Sequence, residues 1–314
     1  MRDTPVVVIA YNRPDKVRRL ISRLEQLQPT NIIFAVDGPK PGKPADVAKV
    51  AEVQSLVNNF TWTDKVETRF RPTNLGLRAA VTDVVSHAVS AHGQAIIMEE
   101  DTLPGKNWFP YAEEMLSRYR SESSIEHISG YNLVPDKFQT LNGRGSRLSR
   151  YPESIAWATW DRAWEKFDGS LDWALNASTS ELAKIVGSRA GALRWKQNFA
   201  DAEANRISTW AYRWIASMWS RNSYVLSPNQ NLVTYAGYDE GTNSLMKAPW
   251  SEIDLFEGPI GTVLETDPVL DESADKWVGE KVFAETPFGV ARGLAITAAL
   301  ELRKQNRARK AKRK

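Results

Sequence analysis

Three successive acidic residues, Glu99-Glu100-Asp101, are the strongest chemical signal in this sequence. They directly follow the apolar run 95–98 (Ala-Ile-Ile-Met), which is typical of a buried strand. Three carboxylates at one strand end repel one another, so a hard cation such as Mg²⁺ or Mn²⁺ would stabilise them through oxygen ligands. Such an ion would also stabilise a departing diphosphate. The competing interpretation is a solvated acidic turn, because charge runs mostly lie at the surface.

Other candidate binding residues stand at the borders of predicted elements. Asp37 ends a second strand-like run and could accept hydrogen bonds from a ribose or a base, although its Asp-Gly-Pro sequence is also ordinary turn chemistry. In the Asn-Leu-Gly-Leu-Arg sequence from Asn74, Gly76 permits a close approach and Arg78 could face phosphate. A helix cap with an exposed arginine explains the same residues equally well. Arg13, after the first strand-like run, has the same two interpretations.

The elements that must position these residues alternate between strand and helix. Apolar runs at 6–10, 32–36 and 95–98 predict buried strands, and residues 66–70 alternate like a further strand. Apolar residues at helical spacing separate successive strands. The order predicts a doubly wound α/β fold with a mostly parallel sheet and helices on both faces. In such a fold the ligand lies beyond the carboxyl ends of the strands, where the residues above fall.

Composition excludes several classes of protein. With 314 residues, of which 42% are apolar, the chain can bury a large core, so disorder of the whole chain is excluded. The absence of Cys excludes disulfides, a thiol nucleophile and a Cys-based zinc site. No phosphate-loop GxxxxGK[ST] and no GxSxG nucleophile elbow occurs. Without an apolar run of about 18 residues or a signal-peptide pattern, we expect a cytoplasmic protein.

Charge and tryptophan are unevenly distributed along the chain. Residues 303–314 contain eight basic residues and no acidic ones, which leaves 33 basic and 38 acidic residues in the rest. We interpret 303–314 as a basic disordered tail that either solubilises the chain or contacts nucleic acid or an anionic surface. Eight of the 12 Trp lie between 157 and 219. Trp157, Trp160 and Trp164 have helical spacing, which predicts one helix face packed in the core.

Several segments, taken together and in order, resemble one known group of enzymes. They are IAYNRP, AVDG, NLGLRAA, IIMEEDTLP, the Trp-rich WATWDRAW, TWAYRW, and PNQNLV before a glycine. This set resembles nucleotide-sugar glycosyltransferases of the GT-A fold, most closely bacterial members related to the N-acetylglucosaminyltransferase I type. The resemblance covers about residues 5–275. It implies one GT-A domain with a nucleotide-sugar-binding half (1–104) and an acceptor-side half with a C-terminal wrapping segment (105–302).

The resemblance also implies a role for each matching residue. Asp101 would be the ligand of Mn²⁺ or Mg²⁺, and Glu99 and Glu100 would lie against the ribose and the donor sugar. The nucleotide of a UDP-sugar would be contacted by Tyr11, Arg13 and Asp37 and bordered by Asn74, Gly76 and Arg78. The acceptor side would be built by Trp157, Trp210, Tyr212 and Trp214.

The catalytic base of the family has no matching residue in this chain. The family commonly has Asp after the Trp that matches Trp210, but this chain has Ala211. We expect Asp201, or failing that Asp161, to replace it. In the segment after the glycine that follows PNQNLV, here Gly237, the family also has a His. This chain has Asn243 at that place.

These observations predict inverting, metal-dependent transfer of a hexosyl or N-acetylhexosaminyl group from a UDP-sugar to a hydroxyl of a glycan, protein or other acceptor. A sugar-phosphate nucleotidyltransferase is the first alternative, which the missing Gly-rich basic loop after the first strand disfavours. A non-catalytic carbohydrate- or nucleic-acid-binding protein on the same fold is the second, motivated by Ala211 and the basic tail.

Overall fold

The computed structural model describes residues 4–207, 209–236, 253–264 and 267–311. The chain forms two compact units, Met1–Asp168 with Ser223–Ala274, and Gly169–Asn222 with Asp275–Lys314. The predicted boundary between residues 104 and 105 therefore falls inside the first unit. Gly237 and Asn243, the positions of the family's glycine and His, lie outside the described residues.

The described residues form ten strands and twelve α-helices. The strands are β1 (Val6–Ala10), β2 (Ile32–Val36), β3 (Val66–Phe70), β4 (Gln94–Glu99), β5 (Thr102–Pro104), β6 (Ile125–Ser129), β7 (Ser146–Ser149), β8 (Ala156–Trp160), β9 (Tyr224–Pro228) and β10 (Val233–Tyr235). The helices are α1 (Pro14–Leu27), α2 (Pro44–Ser55), α3 (Leu77–His92), α4 (Trp108–Arg118), α5 (Asp161–Trp164), α6 (Asp172–Asn176), α7 (Thr179–Val186), α8 (Arg189–Glu203), α9 (Ala211–Ser220), α10 (Gly261–Leu264), α11 (Glu272–Lys281) and α12 (Pro287–Ala311).

Eight strands of the first unit form one mixed sheet in the order β3-β2-β1-β4-β8-β6-β9-β7. Strand β1 pairs in parallel with β2 and β4, and β2 pairs in parallel with β3. Strand β8 is antiparallel to β4 and β6, whereas β6 is parallel to β9 and β7 is antiparallel to β9. The carboxyl ends of β1–β4, β6 and β9 and the amino ends of β7 and β8 thus share one border, which we call the site edge.

The sequence explains why the first half of this sheet forms as predicted. All five residues of β1 and of β2 are buried, as expected for β-branched runs covered on both faces. Helix α1 has Pro at its start and turns an apolar stripe inwards, with Val17, Leu20 and Leu24 fully buried. Each such side chain contributes about 1.5–3 kcal/mol by leaving water. The mostly parallel α/β sheet confirms the predicted fold class.

The prediction of one helix face for Trp157, Trp160 and Trp164 is wrong. Trp157 and Trp160 lie in β8, where Trp157 pairs with Ile97 of β4, and a helix begins only at Asp161. Side chains alternate along a strand, so residues three apart point to opposite faces of the sheet. Trp157 stacks on His127 with ring centroids 4.9 Å apart, whereas Trp160 Nε1 donates to the Leu116 carbonyl on α4.

The second unit is helical. Helix α7 begins with a capping box in which the Ser178 and Glu181 side chains each bind the other residue's backbone. Aromatic packing surrounds Trp195 of α8, whose ring meets Phe199, Trp219 and Phe283.

The segment predicted as a disordered tail from residue 303 differs from the structure, because α12 continues to Ala311. Residues 303–311 consist of Arg, Lys, Gln, Ala and Asn, and all but Asn are strong helix formers. They therefore extend a helix that packing has already nucleated. None of the described helices combines the length and apolar character that crossing a bilayer requires.

Candidate active site

The acidic triplet lies at the site edge, and Arg13 supplies its countercharge. Arg13 Nε donates to Glu100 Oε1 at 2.5 Å, and Arg13 Nη2 donates to Asp101 Oδ2 at 2.8 Å. The backbone N–H of Tyr11 donates to Glu100 Oε2 at 2.7 Å. Glu100 and Asp101 are each 5% exposed. The turn after β1 therefore holds two buried carboxylates that follow β4, and a guanidinium takes the place of the expected cation.

The electrostatics of this cluster are those of a buried ion pair. Burial raises the pKa of Glu100, while the charge of Arg13 and the N–H of Tyr11 oppose that shift. Burial by itself lowers the pKa of Arg13, but Glu100 and Asp101 outweigh it and hold the pKa above its usual value. Arg13 is consequently charged throughout the pH range in which proteins are folded.

Asp46 of α2 organises the turn after β1, and the sequence analysis missed it. Tyr11 Oη donates to Asp46 Oδ2, and Asn12 Nδ2 donates to Asp46 Oδ1 at 2.9 Å. The hydrogen bond from Tyr11 is the main cause that lowers the pKa of Asp46. Lys40 Nζ lies 5.4 Å from the centre of the Tyr11 ring, within cation–π range. In the sequence Asp46 looks only like an acidic residue in a helix's first turn.

Asp37 fastens the loop after β3 to the end of β2. Its Oδ1 accepts from the backbone N–H groups of Gly38 and Leu75, each at 2.9 Å. Its Oδ2 accepts from Asn74 Nδ2 at 2.8 Å and from the N–H of Gly76 at 3.1 Å. Gly76 has φ 81°, in the left-handed region that favours glycine. These four hydrogen bonds use the full acceptor capacity of the carboxylate, so the role of Asp37 in the structure is to shape this loop.

Arg78 lies in the first turn of α3, directly after that loop, and is exposed. No other residue in the described ranges pairs with its guanidinium. The amino end of a helix also carries unpaired N–H groups and the positive end of the helix dipole. This corner of the site edge therefore offers positive charge and donors to an anion such as a phosphate.

The chain after β10 lines the other side of the triplet. The N–H of Ala236 donates to the Asp101 carbonyl at 2.8 Å, and Lys16 Nζ donates to the Ala236 carbonyl at 2.8 Å. Strand β10 reaches this place by pairing with β5, which follows the triplet directly.

One family of proteins matches the part of the chain that carries the site edge. The family model described as Glycosyl transferase family 2 matches residues 6–162, which is 157 of 314 residues. The chain belongs to glycosyl transferase family 2. This glycosyltransferase therefore takes a nucleotide-sugar donor and an acceptor, and the predicted GT-A fold agrees with its sheet. The match begins at β1 and includes Arg13, Asp37, Arg78 and the acidic triplet.

Two further comparisons complete this result. No curated protein matches the chain. Among solved structures, the chain is similar to the crystal structure of mouse xyloside xylosyltransferase 1 in its apo form, with 12% identity and a TM-score of 0.34. That similarity covers 68% of this chain and 80% of the mouse chain. The finer relation to the N-acetylglucosaminyltransferase I type stays a prediction.

Glu153 of the glycosyltransferase also lies at the site edge, and the sequence analysis missed it. It precedes β8, and its backbone N–H donates to Ser129 Oγ at 3.2 Å while its carbonyl accepts from His127 Nε2 at 3.2 Å. Its Oε1 is buried, and no described residue hydrogen-bonds to it. Burial raises the pKa of Glu153 to about 8, although the charge of Arg147 opposes the shift.

The aromatic residues expected on the acceptor side are largely core residues. Trp157, Trp210 and Trp214 are at most 3% exposed, so their ring faces pack against protein. Tyr212 is half-buried and meets the Trp195 ring edge-on, with centroids 5.2 Å apart. Stacking of the three Trp on an acceptor sugar is therefore not supported, because stacking requires an accessible face.

Asp161, the second predicted base, lies away from the site edge, and its role as a base stays a prediction. Trp160 pairs with Gln94, the first residue of β4, and the N–H of Asp161 donates to the Gly93 carbonyl at 3.0 Å. Asp161 therefore lies at the border opposite the site edge, about 20 Å from Glu99 along the strand. Its Oδ1 accepts from the N–H of Arg162 at 2.7 Å, within the first turn of α5.

Asp201, the other predicted base, lies in the second unit and is ion-paired. Its Oδ1 accepts from Arg206 Nε at 2.7 Å and from Thr297 Oγ1 at 3.3 Å. The role of Asp201 as a base stays a prediction.

The metal prediction depends on Asp101. Within the described parts of the chain, no group of three or more His, Cys, Asp or Glu residues is placed to hold a metal ion. Arg13 occupies Asp101 Oδ2, and no described donor reaches Oδ1. One carboxylate oxygen is therefore available, which suits a hard divalent ion that takes its other ligands from a diphosphate and water.

Proposed function

We propose that this glycosyltransferase moves a hexosyl or N-acetylhexosaminyl group from a UDP-sugar to an acceptor hydroxyl, with inversion and with help from Mn²⁺ or Mg²⁺. The observation that supports it is the grouping at the site edge, where Arg13 joins Glu100 and Asp101 beside the loop fastened by Asp37. The grouping falls within the residues that match family 2.

The donor would lie along the site edge from β2 towards β4. Its uracil and ribose would lie over the Tyr11 turn and the loop from Asn74 to Gly76, whose shapes Asp46 and Asp37 fix. Its diphosphate would meet the Arg78 guanidinium, which can bind phosphate through two parallel hydrogen bonds. Glu99 and Glu100 would then face the ribose and the sugar.

A divalent ion would be held by Asp101 together with the diphosphate of the donor. When bound, it would stabilise the negative charge that develops on the leaving UDP. Arg13 contributes before any ion arrives, because it holds the Glu100 and Asp101 side chains in place. With both carboxylates positioned in advance, little side-chain ordering remains to be done on donor binding.

We also propose Glu153 as the group that accepts the acceptor's proton, in preference to Asp201 and Asp161. The acceptor oxygen would form a bond to the anomeric carbon as the bond from that carbon to UDP breaks, and the hydroxyl proton would pass to Glu153. Glu153 lies at the site edge with an unpaired carboxylate oxygen, and its pKa of about 8 makes the ionised form, whose population grows as the pH rises towards 8, a strong proton acceptor.

A screen of UDP- and GDP-sugars, read by release of the nucleotide, tests this function. We expect release from at least one UDP-sugar, and its loss in Asp101→Asn. Asp64→Asn, an exposed acid outside the site edge, is the matched control and should keep the wild-type rate. Release from GDP-sugars only, or an unchanged rate in Asp101→Asn, would overturn the proposal for the donor or for the metal ligand, respectively.

A further inference from the structure

Helix α12 exposes an unusual amount of apolar surface. Four of its large apolar side chains are at least half exposed: Phe288 at 76%, Leu294 and Leu302 at 59%, and Ile296 at 50%. They make up a third of the twelve exposed large apolar residues found in the described parts of the chain. Scattered single residues of this kind need no explanation, but a cluster on one helix marks an interaction surface.

Helical spacing gathers these residues on one face. Phe288, Ala295 and Leu302 are seven residues apart and form a stripe, which Leu294 and Ile296 flank. All five are exposed. Arg292 is the one charged residue between 288 and 300 in the sequence. The exposed face therefore runs over about four helical turns and is apolar apart from Arg292, which is exposed and follows Phe288 by four residues.

The opposite face of α12 is built to pack against α8. Gly293 lies so close to Arg194 and Gln197 that a Cβ there would overlap them. Thr297 Oγ1 accepts from Gln197 Nε2 at 3.3 Å. Small residues thus fix the helix to the second unit, so the outward direction of the apolar face is determined by packing.

Strong positive charge follows this face directly. Residues 303–314 hold eight Lys or Arg and no acid, and the helix continues through Ala311. Each basic residue near an anionic membrane surface strengthens binding by attraction to the anionic headgroups. An apolar helix face joined to a basic segment is the pattern of helices that lie in the plane of a bilayer surface.

We propose that α12 docks this glycosyltransferase on the surface of an anionic lipid bilayer. The apolar face of Phe288, Leu294, Ile296 and Leu302 enters the interface between headgroups and acyl chains, and the basic residues after 302 bind anionic headgroups. A nucleic acid would use the charge but not the aliphatic face. A second copy of the chain would bring two segments of eight positive charges together, which repel each other.

Co-sedimentation with vesicles tests the proposal on the full-length protein. We expect binding to vesicles of phosphatidylcholine mixed with phosphatidylglycerol, and much weaker binding to phosphatidylcholine alone or at high salt. The double variant Phe288→Ser/Leu302→Ser should weaken binding by about tenfold or more, because two large apolar side chains no longer enter the bilayer interface. Replacing the eight basic residues after 302 by Gln should abolish the preference for phosphatidylglycerol.

Val269→Ser is the matched control, because Val269 is 55% exposed but lies outside α12. It should bind vesicles like the wild type, and circular dichroism should show that every variant is folded. Three results would overturn the proposal: no sedimentation with anionic vesicles, equal binding by the double variant, or concentration-dependent self-association that Phe288→Ser/Leu302→Ser abolishes. Binding of duplex DNA or RNA in preference to anionic vesicles would assign the basic segment to nucleic acid instead.

Discussion

Arg13 neutralises the charge of two neighbouring carboxylates and so stabilises the acidic site. Its guanidinium binds Glu100 and Asp101, which are buried and would otherwise repel each other. Removal of one partner of a buried ion pair leaves uncompensated charge and costs about 3–5 kcal/mol. A divalent ion on the other oxygen of Asp101 would add positive charge to the same cluster.

Arg13→Gln should lower the free energy of unfolding by about 3–5 kcal/mol. Mn²⁺ should recover part of that loss, because its charge replaces the guanidinium. Urea unfolding with and without Mn²⁺ measures both effects. Arg18→Gln is the control, because its ion pair with Glu52 is exposed and contributes about 1 kcal/mol or less. Equal destabilisation of the two variants would contradict the role given to Arg13.

Glu153 gives the stability of the fold a defined dependence on pH. Its pKa is raised from the ordinary 4.5 to about 8, so the folded state holds this proton more tightly than the unfolded chain does. The stabilisation is complete below pH 4.5 and is lost as the pH rises towards 8. In Glu153→Gln this loss should disappear. As the pH rises from 5 to 8, the free energy of unfolding of the variant, measured in urea, should therefore increase relative to that of the wild type.

The control for Glu153 is Glu52→Gln, because Glu52 is exposed. Its unfolding free energy should follow the wild type across the same pH range. A wild-type pH dependence retained in Glu153→Gln would show that other groups cause it and would contradict the raised pKa of Glu153.

The elements were predictable to different degrees, for physical reasons. The bounds predicted for β1, β2 and β3 agree with the structure, because a run of β-branched residues determines a buried strand locally. The helical spacing of Trp157, Trp160 and Trp164 predicts a helix, but pairing with β4 makes residues 156–160 a strand. The site likewise depends on a long-range contact, because Arg13 and Glu100 are 87 residues apart in sequence.

Some site residues gave no signal in the sequence. In a parallel α/β sheet the ligand lies beyond the carboxyl ends of the strands, which predicts that Arg13, Asp37 and Asp101 lie at one edge. The structure has all three at the site edge. The rule for parallel sheets says nothing of Asp46, which reaches the Tyr11 turn from a helix, or of Glu153, which precedes an antiparallel strand. Both depend on tertiary packing that local pattern does not encode.

Asp37→Asn tests whether the loop after β3 is fastened as the structure shows. The amide nitrogen cannot accept from Asn74 and the Gly76 N–H, so we expect a loss of about 1–3 kcal/mol in the free energy of unfolding. UDP binding should weaken in parallel, because the loop borders the proposed nucleotide site. Titration calorimetry and urea unfolding measure the two effects, with Asp64→Asn as the control. Wild-type UDP affinity in Asp37→Asn would contradict this placement.

At the scale of the whole molecule, the candidate active site and the proposed membrane-binding helix lie in different units. The residues that match family 2 lie in the first unit and carry the site edge. The second unit carries α12, whose apolar face and basic extension lie outside the matched residues. The charge of +3 is therefore the sum of an acidic body and a basic end, and each part has its own partner: a nucleotide-sugar and, as we propose, a lipid surface.

Titration of UDP into the purified protein is the most direct test of the central claim, which is that the site edge around Arg13, Glu100 and Asp101 binds a nucleotide-sugar with a divalent ion. We predict binding in Mn²⁺ that weakens by about tenfold or more in EDTA, the loss of one charge-assisted contact. Asp101→Asn should reproduce the weakening, whereas Asp161→Asn, at the opposite border of the sheet, should bind like the wild type. Binding that ignores both EDTA and Asp101→Asn, or no binding of UDP at all, would contradict the account.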